Sequence, residues 1–285
     1  MPASRSRLAA LFIVLLLAAA DAVGAQRDGA RPAIRSLAAA RTAPAAGGPV
    51  IAILCYHDVS DGPGSPSSTV TPAALRDQIR ALRKGGWTIL PLSTLLSHRN
   101  RPAALPPRVA VLTFDDGYRG FVETVLPILR EEGVKATLAV SDAQIDDPPA
   151  DVAPLMSWDA VRKADRSGLV EIASHSHALH RYETSNPYRD TGPSVSTRRY
   201  LDAQGRYEDR DEYRARIRDD LREARRRLRR ELGHDVNVLV WPYGEHTAMA
   251  RAIAAREGFT AGAGRLRLQA RGMRGGQRDQ RIDLL

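Results

Sequence analysis

The sequence predicts an α/β fold with a parallel sheet, and three observations carry this prediction. Short apolar runs rich in β-branched residues alternate along the chain with stretches of helical periodicity. This alternation is typical of parallel strands that are covered by helices. Polar clusters follow several strands directly, and in an incomplete barrel or an open sheet functional sites form at the carboxyl ends of the strands. The candidate strands are residues 51–56, 87–90, 109–114, 136–140, 170–174 and 238–241.

The helices between these strands are predicted from their ends and their apolar faces. Thr71 can cap the first helix, and Pro72 suits its first position. Two glycines, Gly85 and Gly86, end it. The longest helix has one apolar stripe and a second face of Arg, Asp and Glu, which is typical of a solvated helix surface. The later helices are predicted over about 119–132, 157–168, 209–232 and 247–257.

The amino terminus, residues 1–25, has the layout of a secretory signal peptide. Two arginines precede an apolar run at 8–20, and the small residues Val23 and Ala25 precede a cut before Gln26. The run is shorter than the roughly 20 residues that a helix needs to span a bilayer. We therefore expect an exported protein, periplasmic or secreted, with no stable membrane span after cleavage. An uncleaved anchor is the alternative.

Composition also predicts the domain boundaries. Residues 26–48, rich in Ala, Arg, Gly and Pro, predict a flexible linker, and one folded domain is expected over 49–263. Residues 264–285 have no clear period and few large apolar residues. We expect this segment to be a disordered tail or out-of-frame sequence after a truncation.

The overall composition fits a soluble globular protein and limits its partners. Of the 285 residues, 43% are hydrophobic and 26% are charged. The single cysteine, Cys55, excludes an intramolecular disulfide and an all-cysteine metal site. The net charge is +9, but much of the excess lies in the arginines of residues 265–285. We therefore predict no nucleic-acid partner.

The strand at 109–114 runs directly into a pair of carboxylates, Asp115 and Asp116, followed by Gly117. Adjacent side chains on an extended chain point to opposite sides, but a turn at the strand end can bring them together. One carboxylate can then bind a metal while the other stays free as a base. An Asp-Asp-Gly turn that caps a helix is the alternative.

The strand at 170–174 is followed by three of the seven histidines. Neutral imidazoles together with a carboxylate are typical ligands of a first-row divalent metal, and they leave open positions for water and substrate. A lone histidine would more often be structural, whereas three in one strand-end loop favour a metal site. The histidines are His175, His177 and His180.

Two further strands end in groups that fit the same site. His57 follows the strand at 51–56 and can be a general acid that is oriented by a neighbouring carboxylate. Pro242 and Gly244 force an irregular turn, which can aim a backbone N–H into a pocket with Trp241 as an aromatic wall. Taken alone, His57 is better explained by a surface or packing role, and the irregular turn by its Pro and Gly residues. Together the four strand ends predict metal-assisted hydrolysis.

At these motifs the chain resembles the polysaccharide deacetylases of the NodB-homology group, carbohydrate esterase family four. The resemblance rests on TFDDG at 113–117, the histidines five positions apart and WPYG at 241–244. YHDV at 56–59 and RYE at 206–208 are similar to the biofilm poly-β-1,6-N-acetyl-D-glucosamine N-deacetylases. The match runs from about 49 to 259. It implies a distorted, incomplete (β/α) barrel.

The resemblance also implies which residues bind the metal. Asp116, His175 and His180 would bind one divalent ion, and His177, which lies between the two ligands, is expected not to be a ligand. Zn²⁺ fits this ligand set, and Ni²⁺, Co²⁺ or Fe²⁺ suit it too.

The catalytic roles are likewise implied by the resemblance. Asp115 would be the base that takes a proton from the attacking water, and His57 would protonate the leaving sugar amine. The backbone N–H of Tyr243 would stabilise the oxyanion, and Trp241 would contact the substrate. The substrate would be an acetylated amino-sugar polysaccharide, a biofilm exopolysaccharide of the poly-N-acetylglucosamine type.

Two departures from the family pattern leave alternatives open. Residues 237–241 lack the arginine that many members place before PYG to hold the catalytic aspartate. After Phe259 the resemblance ends, although a closing strand would be expected there. The alternative functions are deacetylation of peptidoglycan, chitin or xylan, and a truncated, non-catalytic sugar-binding remnant.

Overall fold

A sheet of parallel strands runs through the protein. The structure, a computed structural model, describes residues 12–17, 48–61, 69–150, 154–259 and 261–263. The strands in this part of the chain are β1 (Phe12–Leu17), β2 (Val50–Tyr56), β3 (Thr88–Ile89), β4 (Arg108–Phe114), β5 (Ala136–Val140), β6 (Val170–Ser174), β7 (Tyr182–Thr184), β8 (Thr191–Pro193), β9 (Tyr200–Leu201), β10 (Arg206–Tyr207), β11 (Val238–Val240) and β12 (Ala261–Ala263).

Eight of these described strands form the main sheet, in the order β1-β2-β4-β5-β6-β11-β12 with β3 beside β4. Every neighbouring pair in this sheet is parallel. Within the described residues the two edge strands, β1 and β12, do not pair with each other, so the barrel stays open. The incomplete (β/α) barrel and its six sequence-predicted strands are confirmed.

The helices lie between the strands, as the sequence predicts. Thr71 Oγ1 accepts a hydrogen bond from the Ala74 N–H at 3.2 Å, and Asp209 forms a capping box with Glu212. The predicted helix at 119–132 differs from expectation, because its first part is a π-helical turn, Phe121–Val125. The described α-helices are α1 (Pro72–Lys84), α2 (Leu92–Ser97), α3 (Leu126–Glu132), α4 (Asp142–Asp146), α5 (Trp158–Asp165), α6 (Arg210–Leu232) and α7 (Ala248–Arg256).

Side chains of the central strands alternate between two apolar cores. On β2, Ile51 and Ile53 pack with α2 on the inner side of the sheet, whereas Ala52 and Leu54 pack beneath the outer helices. The alternation continues on β4, where odd-numbered residues face inward. The parallel register pairs Cys55 with Thr113, so the odd positions of both strands lie side by side. The same alternation therefore sets the direction of the side chains that directly follow these strands.

An insertion between β6 and α6 carries two short antiparallel hairpins, β7–β8 and β9–β10, which the sequence did not predict. Arg216 on α6 holds it in place. Its guanidinium donates to both carboxylate oxygens of Glu208, at 2.7 and 2.8 Å, and to the carbonyls of Ser194 and Thr197. The Tyr213 hydroxyl adds a hydrogen bond of 2.7 Å to the Val195 carbonyl.

Several predictions concern residues near the ends of the chain. The backbone of Phe12–Leu17 forms β1, but most of the predicted signal peptide and linker, and the tail at 264–285, lie outside the described residues. After Phe259, where the resemblance to the family ends, the structure still has a strand, because β12 pairs in parallel with β11. No helix in the described part of the chain has the length and apolarity needed to cross a membrane.

Gly120, at the start of the π-helical turn, lies against the chain that follows β2. A Cβ atom there would lie 2.9 Å from the carbonyl oxygen of Val59 and would also collide with the Asp58 carboxylate. We expect Gly120→Ala to lower the free energy of unfolding by about 1–3 kcal/mol, because overpacking forces a backbone shift. Chemical denaturation would measure this change. An unaltered denaturation midpoint would contradict the packing described here.

Candidate functional site

Asp115 and Asp116 follow the last residue of β4. Asp115 continues the alternation of side chains along the strand, and Asp116 breaks it. The Asp115 N–H donates to the Tyr56 carbonyl at 2.9 Å, so Asp115 continues the ladder and faces inward as an odd position. Asp116 has a φ of 72°, in the left-handed region that side chains other than glycine rarely adopt. This conformation explains how two adjacent carboxylates reach one site from a single strand.

Three side chains meet at the carboxyl end of the sheet in the arrangement that the sequence predicts for a metal centre. Asp116 Oδ1 lies 3.4 Å from His175 Nε2 and 3.4 Å from His180 Nδ1. One ligand atom from each lies within 4.8 Å of the other two. Asp116 Oδ1 is buried and accepts no hydrogen bond from the described residues. A buried carboxylate oxygen facing two imidazole nitrogens fits a divalent cation.

The imidazole of His175 is held ready to bind a cation. Its Nδ1 donates to the carbonyl of Val240 at 2.9 Å, which leaves the lone pair of Nε2 directed at Asp116. Burial, aided by the neighbouring imidazole of His180, lowers the pKa of His175 to about 3. Burial also lowers the pKa of His180. Both rings are therefore neutral near pH 7, the form that binds metal.

The loop that carries the two histidines is tied to α6 by Asp220. Its carboxylate accepts hydrogen bonds from the backbone N–H groups of His177, at 3.0 Å, and Ala178, at 2.7 Å. Within the loop Ser176 has a φ of 69°. Burial raises the pKa of Asp220 to about 6, against the effect of these hydrogen bonds. Sequence reasoning missed Asp220, because it lies in the charged face of α6 that resembles solvated surface.

The structure places His177 outside the candidate metal cluster. Its Nδ1 donates to Asp142 Oδ2 at 2.8 Å, and Asp142 is fully buried. Arg227 on α6 lies 3.8 Å from the same carboxylate oxygen. Hydrogen bonding to Asp142 raises the pKa of His177. The ring thus serves as a donor to a buried carboxylate, and its geometry agrees with the expectation that it is not a ligand.

Asp115 has an environment that suits a base. It is 7% exposed, its Oδ2 accepts a hydrogen bond from Cys55 Sγ at 3.3 Å, and its Oδ1 has no partner among the described residues. Burial and the neighbouring Asp116 raise its pKa to about 6, although His57 and the Cys55 thiol oppose this shift. The thiol thus contacts the carboxylate that the family's missing arginine would hold. Sequence reasoning missed this contact.

The sole cysteine does not have the properties of a nucleophile. Burial, together with the negative charge of Asp115, raises the pKa of the Cys55 thiol well above its usual value. A nucleophilic cysteine requires a lowered pKa and access to substrate. Cys55 is 7% exposed. Thiol chemistry is therefore not the reaction this site favours.

The turn after β11 brings an aromatic ring to the mouth of the site. Tyr243 has a φ of 57°, and its ring centroid lies 4.6 Å from that of His180. The half-exposed Tyr182, on β7, meets Tyr243 edge-to-face at 4.9 Å. Trp241, in contrast, is 1% exposed and packs in the core with α6 and α7. Tyr243 and Tyr182, and not the buried Trp241, are therefore the aromatic side chains beside the His180 ring that are open to solvent.

A cavity of about 670 Å³ lies away from this cluster, at the opposite end of the sheet. It is bordered by the first residues of β6 and β11, Val170 and Val238, and by His234. In proteins with parallel sheets, functional sites form at the carboxyl ends of the strands, and the Asp116 cluster lies at this end. The Asp116 cluster is therefore the candidate functional site.

Comparisons with known proteins identify the family of the chain. A family model for polysaccharide deacetylases matches residues 103–262. The poly-beta-1,6-N-acetyl-D-glucosamine N-deacetylase of Escherichia coli K12 is 32% identical over 208 residues, which are 69% of this chain and 31% of that protein. The chain belongs to the polysaccharide deacetylase family, which confirms the resemblance seen in the motifs. It spans about a third of the length of this curated relative.

Two solved structures are similar to the chain. The BpsB deacetylase domain from Bordetella bronchiseptica is 34% identical with a TM-score of 0.62. A de-N-acetylase from Aggregatibacter actinomycetemcomitans is 28% identical with a TM-score of 0.68. Each alignment covers 74% of this chain and 86% of the other. The incomplete barrel is thus shared with deacetylase domains.

If Asp116 is a metal ligand and His177 is not, variants at the two positions should differ in their affinity for a divalent cation. Asp116→Asn should lower the affinity for Ni²⁺ by more than the roughly 10–100-fold that loss of a ligand's hydrogen-bond partner costs. His177→Gln should leave the affinity unchanged, because its ring faces Asp142. Equilibrium dialysis against Ni²⁺ would measure both. Loss of Ni²⁺ in the His177 variant alone would overturn the assignment.

Proposed function

We propose that this protein is a metal-dependent N-deacetylase of an acetylated amino-sugar polysaccharide of the poly-β-1,6-N-acetylglucosamine type. The observation that carries the proposal is the Asp116–His175–His180 cluster beside the buried carboxylate of Asp115. The substrate class is supported by the similarity to the Escherichia coli enzyme. The motif at residues 1–25 supports export to the periplasm or the exterior.

The reaction joins water to the acetyl carbonyl carbon and breaks the C–N bond. A divalent cation held by Asp116, His175 and His180 would act as a Lewis acid toward the carbonyl and water oxygens. Zn²⁺ suits the ligands, as do Ni²⁺, Co²⁺ and Fe²⁺. Asp115 Oδ1, which has no partner among the described residues, takes the proton from the attacking water.

The remaining groups stabilise the negative charge of the oxyanion and protonate the leaving amine. The backbone N–H of Tyr243 would stabilise the developing oxyanion. His57 gives a proton to the amine nitrogen as the C–N bond breaks. Its ligand atom lies within 4.8 Å of those of Asp115 and Cys55, close enough for base and acid to serve one acetamide group. The products are acetate and a cationic amino sugar.

Asp115→Asn tests the catalytic assignment while preserving size. We expect acetate release to fall by about 10²–10⁴-fold, because the amide cannot accept the water's proton. Acetate would be measured with poly-β-1,6-N-acetylglucosamine after chelation and after Zn²⁺, Ni²⁺ or Co²⁺ is restored. Asp159→Asn, an exposed carboxylate on α5, is the matched control. Unchanged turnover in the Asp115 variant would exclude its role as base, and faster release from chitin, peptidoglycan or acetylated xylan would change the substrate.

Tyr182 and Tyr188 form a matched pair for testing sugar binding. Tyr182 is half-exposed beside Tyr243, whereas Tyr188 is 87% exposed in the turn between β7 and β8. The apolar face of a sugar ring can pack on an exposed aromatic ring. We expect Tyr182→Ala to raise KM for the polymer several-fold with little change in kcat, and Tyr188→Ala to change neither. Steady-state kinetics would measure both, and equal effects would remove Tyr182 from the substrate site.

A further inference from the structure

A second group of metal-ligating side chains lies beside the first. Cys55 and His57 are two positions apart and lie on the same side of the chain as it leaves β2. Asp115 follows the inward-facing positions of β4, the strand paired with β2. The thiol, one imidazole nitrogen and one carboxylate oxygen all lie within 4.8 Å of one another. We call these three residues the thiol cluster.

The donor set of the thiol cluster differs from that of the Asp116 cluster. Sulfur, nitrogen and oxygen ligands together are typical of Zn²⁺, and a thiolate selects soft cations such as Cd²⁺. Asp115 Oδ1 is buried without a hydrogen-bond donor among the described residues, so one carboxylate oxygen is available to a cation. Cys55 Sγ already lies 3.3 Å from the other oxygen of the same carboxylate. His57 is partly exposed and gives access from solvent.

We propose that the thiol cluster is a second, inhibitory site for a thiophilic divalent cation, Zn²⁺ or Cd²⁺. Binding forms a metal–sulfur bond and releases the thiol proton to solvent, leaving two anionic ligands to balance the cation's charge. Because the thiol must lose its proton, the thiol cluster has a lower affinity for the cation than the Asp116 cluster. Inhibition rests on the proposed function, because the cation occupies the very groups assigned as base and acid.

The cation site itself is tested without any measurement of activity. Wild-type protein dialysed against Cd²⁺ should bind two equivalents and show the ultraviolet absorption of a cadmium–thiolate bond. Cys55→Ser and Cys55→Ala should each bind one equivalent and lack this absorption. Asp116→Asn should keep the absorption while losing the other equivalent. His234→Asn, which removes an exposed imidazole paired with Asp165, controls for surface binding and should match wild type.

The inhibitory effect is tested by acetate release from poly-β-1,6-N-acetylglucosamine over a range of Zn²⁺ concentrations. Wild-type activity should rise with the first equivalent and then fall at least tenfold in excess Zn²⁺. Cys55→Ser should stay within about twofold of its own maximum over the same range. The comparison is made within each variant, so any effect of Cys55 on turnover itself cancels.

The outcomes separate the two proposals. A wild-type protein that binds one equivalent of Cd²⁺, or that lacks the thiolate absorption, overturns the second site. Equal inhibition of wild type and Cys55→Ser by Zn²⁺ overturns the inhibitory role. A thiolate absorption in a protein that releases no acetate at any Zn²⁺ concentration supports the site and contradicts the proposed function.

Discussion

Burial of β2 and β4 on both faces is the constraint on which the rest of the structure depends. Each strand presents apolar side chains to an inner and an outer core. A shift of the strand register by one residue would turn the inner side chains outward and the outer side chains inward. The alternation therefore determines which side of the sheet is faced by the polar side chains that follow each strand. Cys55, His57 and Asp115 reach the same side because they continue the inner positions of adjacent strands.

Secondary elements far apart in the sequence hold the cluster in place. The Val240 carbonyl on β11 orients His175, and Asp220 on α6 holds the backbone of the loop that follows it. The same helix anchors the hairpin insertion through Arg216 and carries Arg227 toward the Asp142–His177 pair. α6 thus links the candidate metal ligands to the insertion that carries the exposed Tyr182, which explains why its charged face includes buried contacts.

Sequence reasoning succeeded where a local pattern determines the structure. Apolar runs and capping residues predicted the parallel strands and most helices, and the polar residues at strand ends predicted that Asp116, His175 and His180 would lie close together. It failed where a distant partner decides the outcome. The burial of Trp241 depends on its packing beneath α6 and α7, and the hydrogen bond between Cys55 and Asp115 joins residues on different strands. The short hairpins lack the apolar alternation that would have predicted them.

Four described residues other than glycine have a positive φ, and three of them, Asp116, Ser176 and Tyr243, surround the candidate metal centre. Such conformations cost on the order of 1–3 kcal/mol each, and surrounding structure must compensate for them. Glycine would relieve this cost at each position while removing the side chain. A directed-evolution search for thermal stability alone would therefore favour loss of these side chains, so conformational stability and a complete active site are opposing demands on the same three positions.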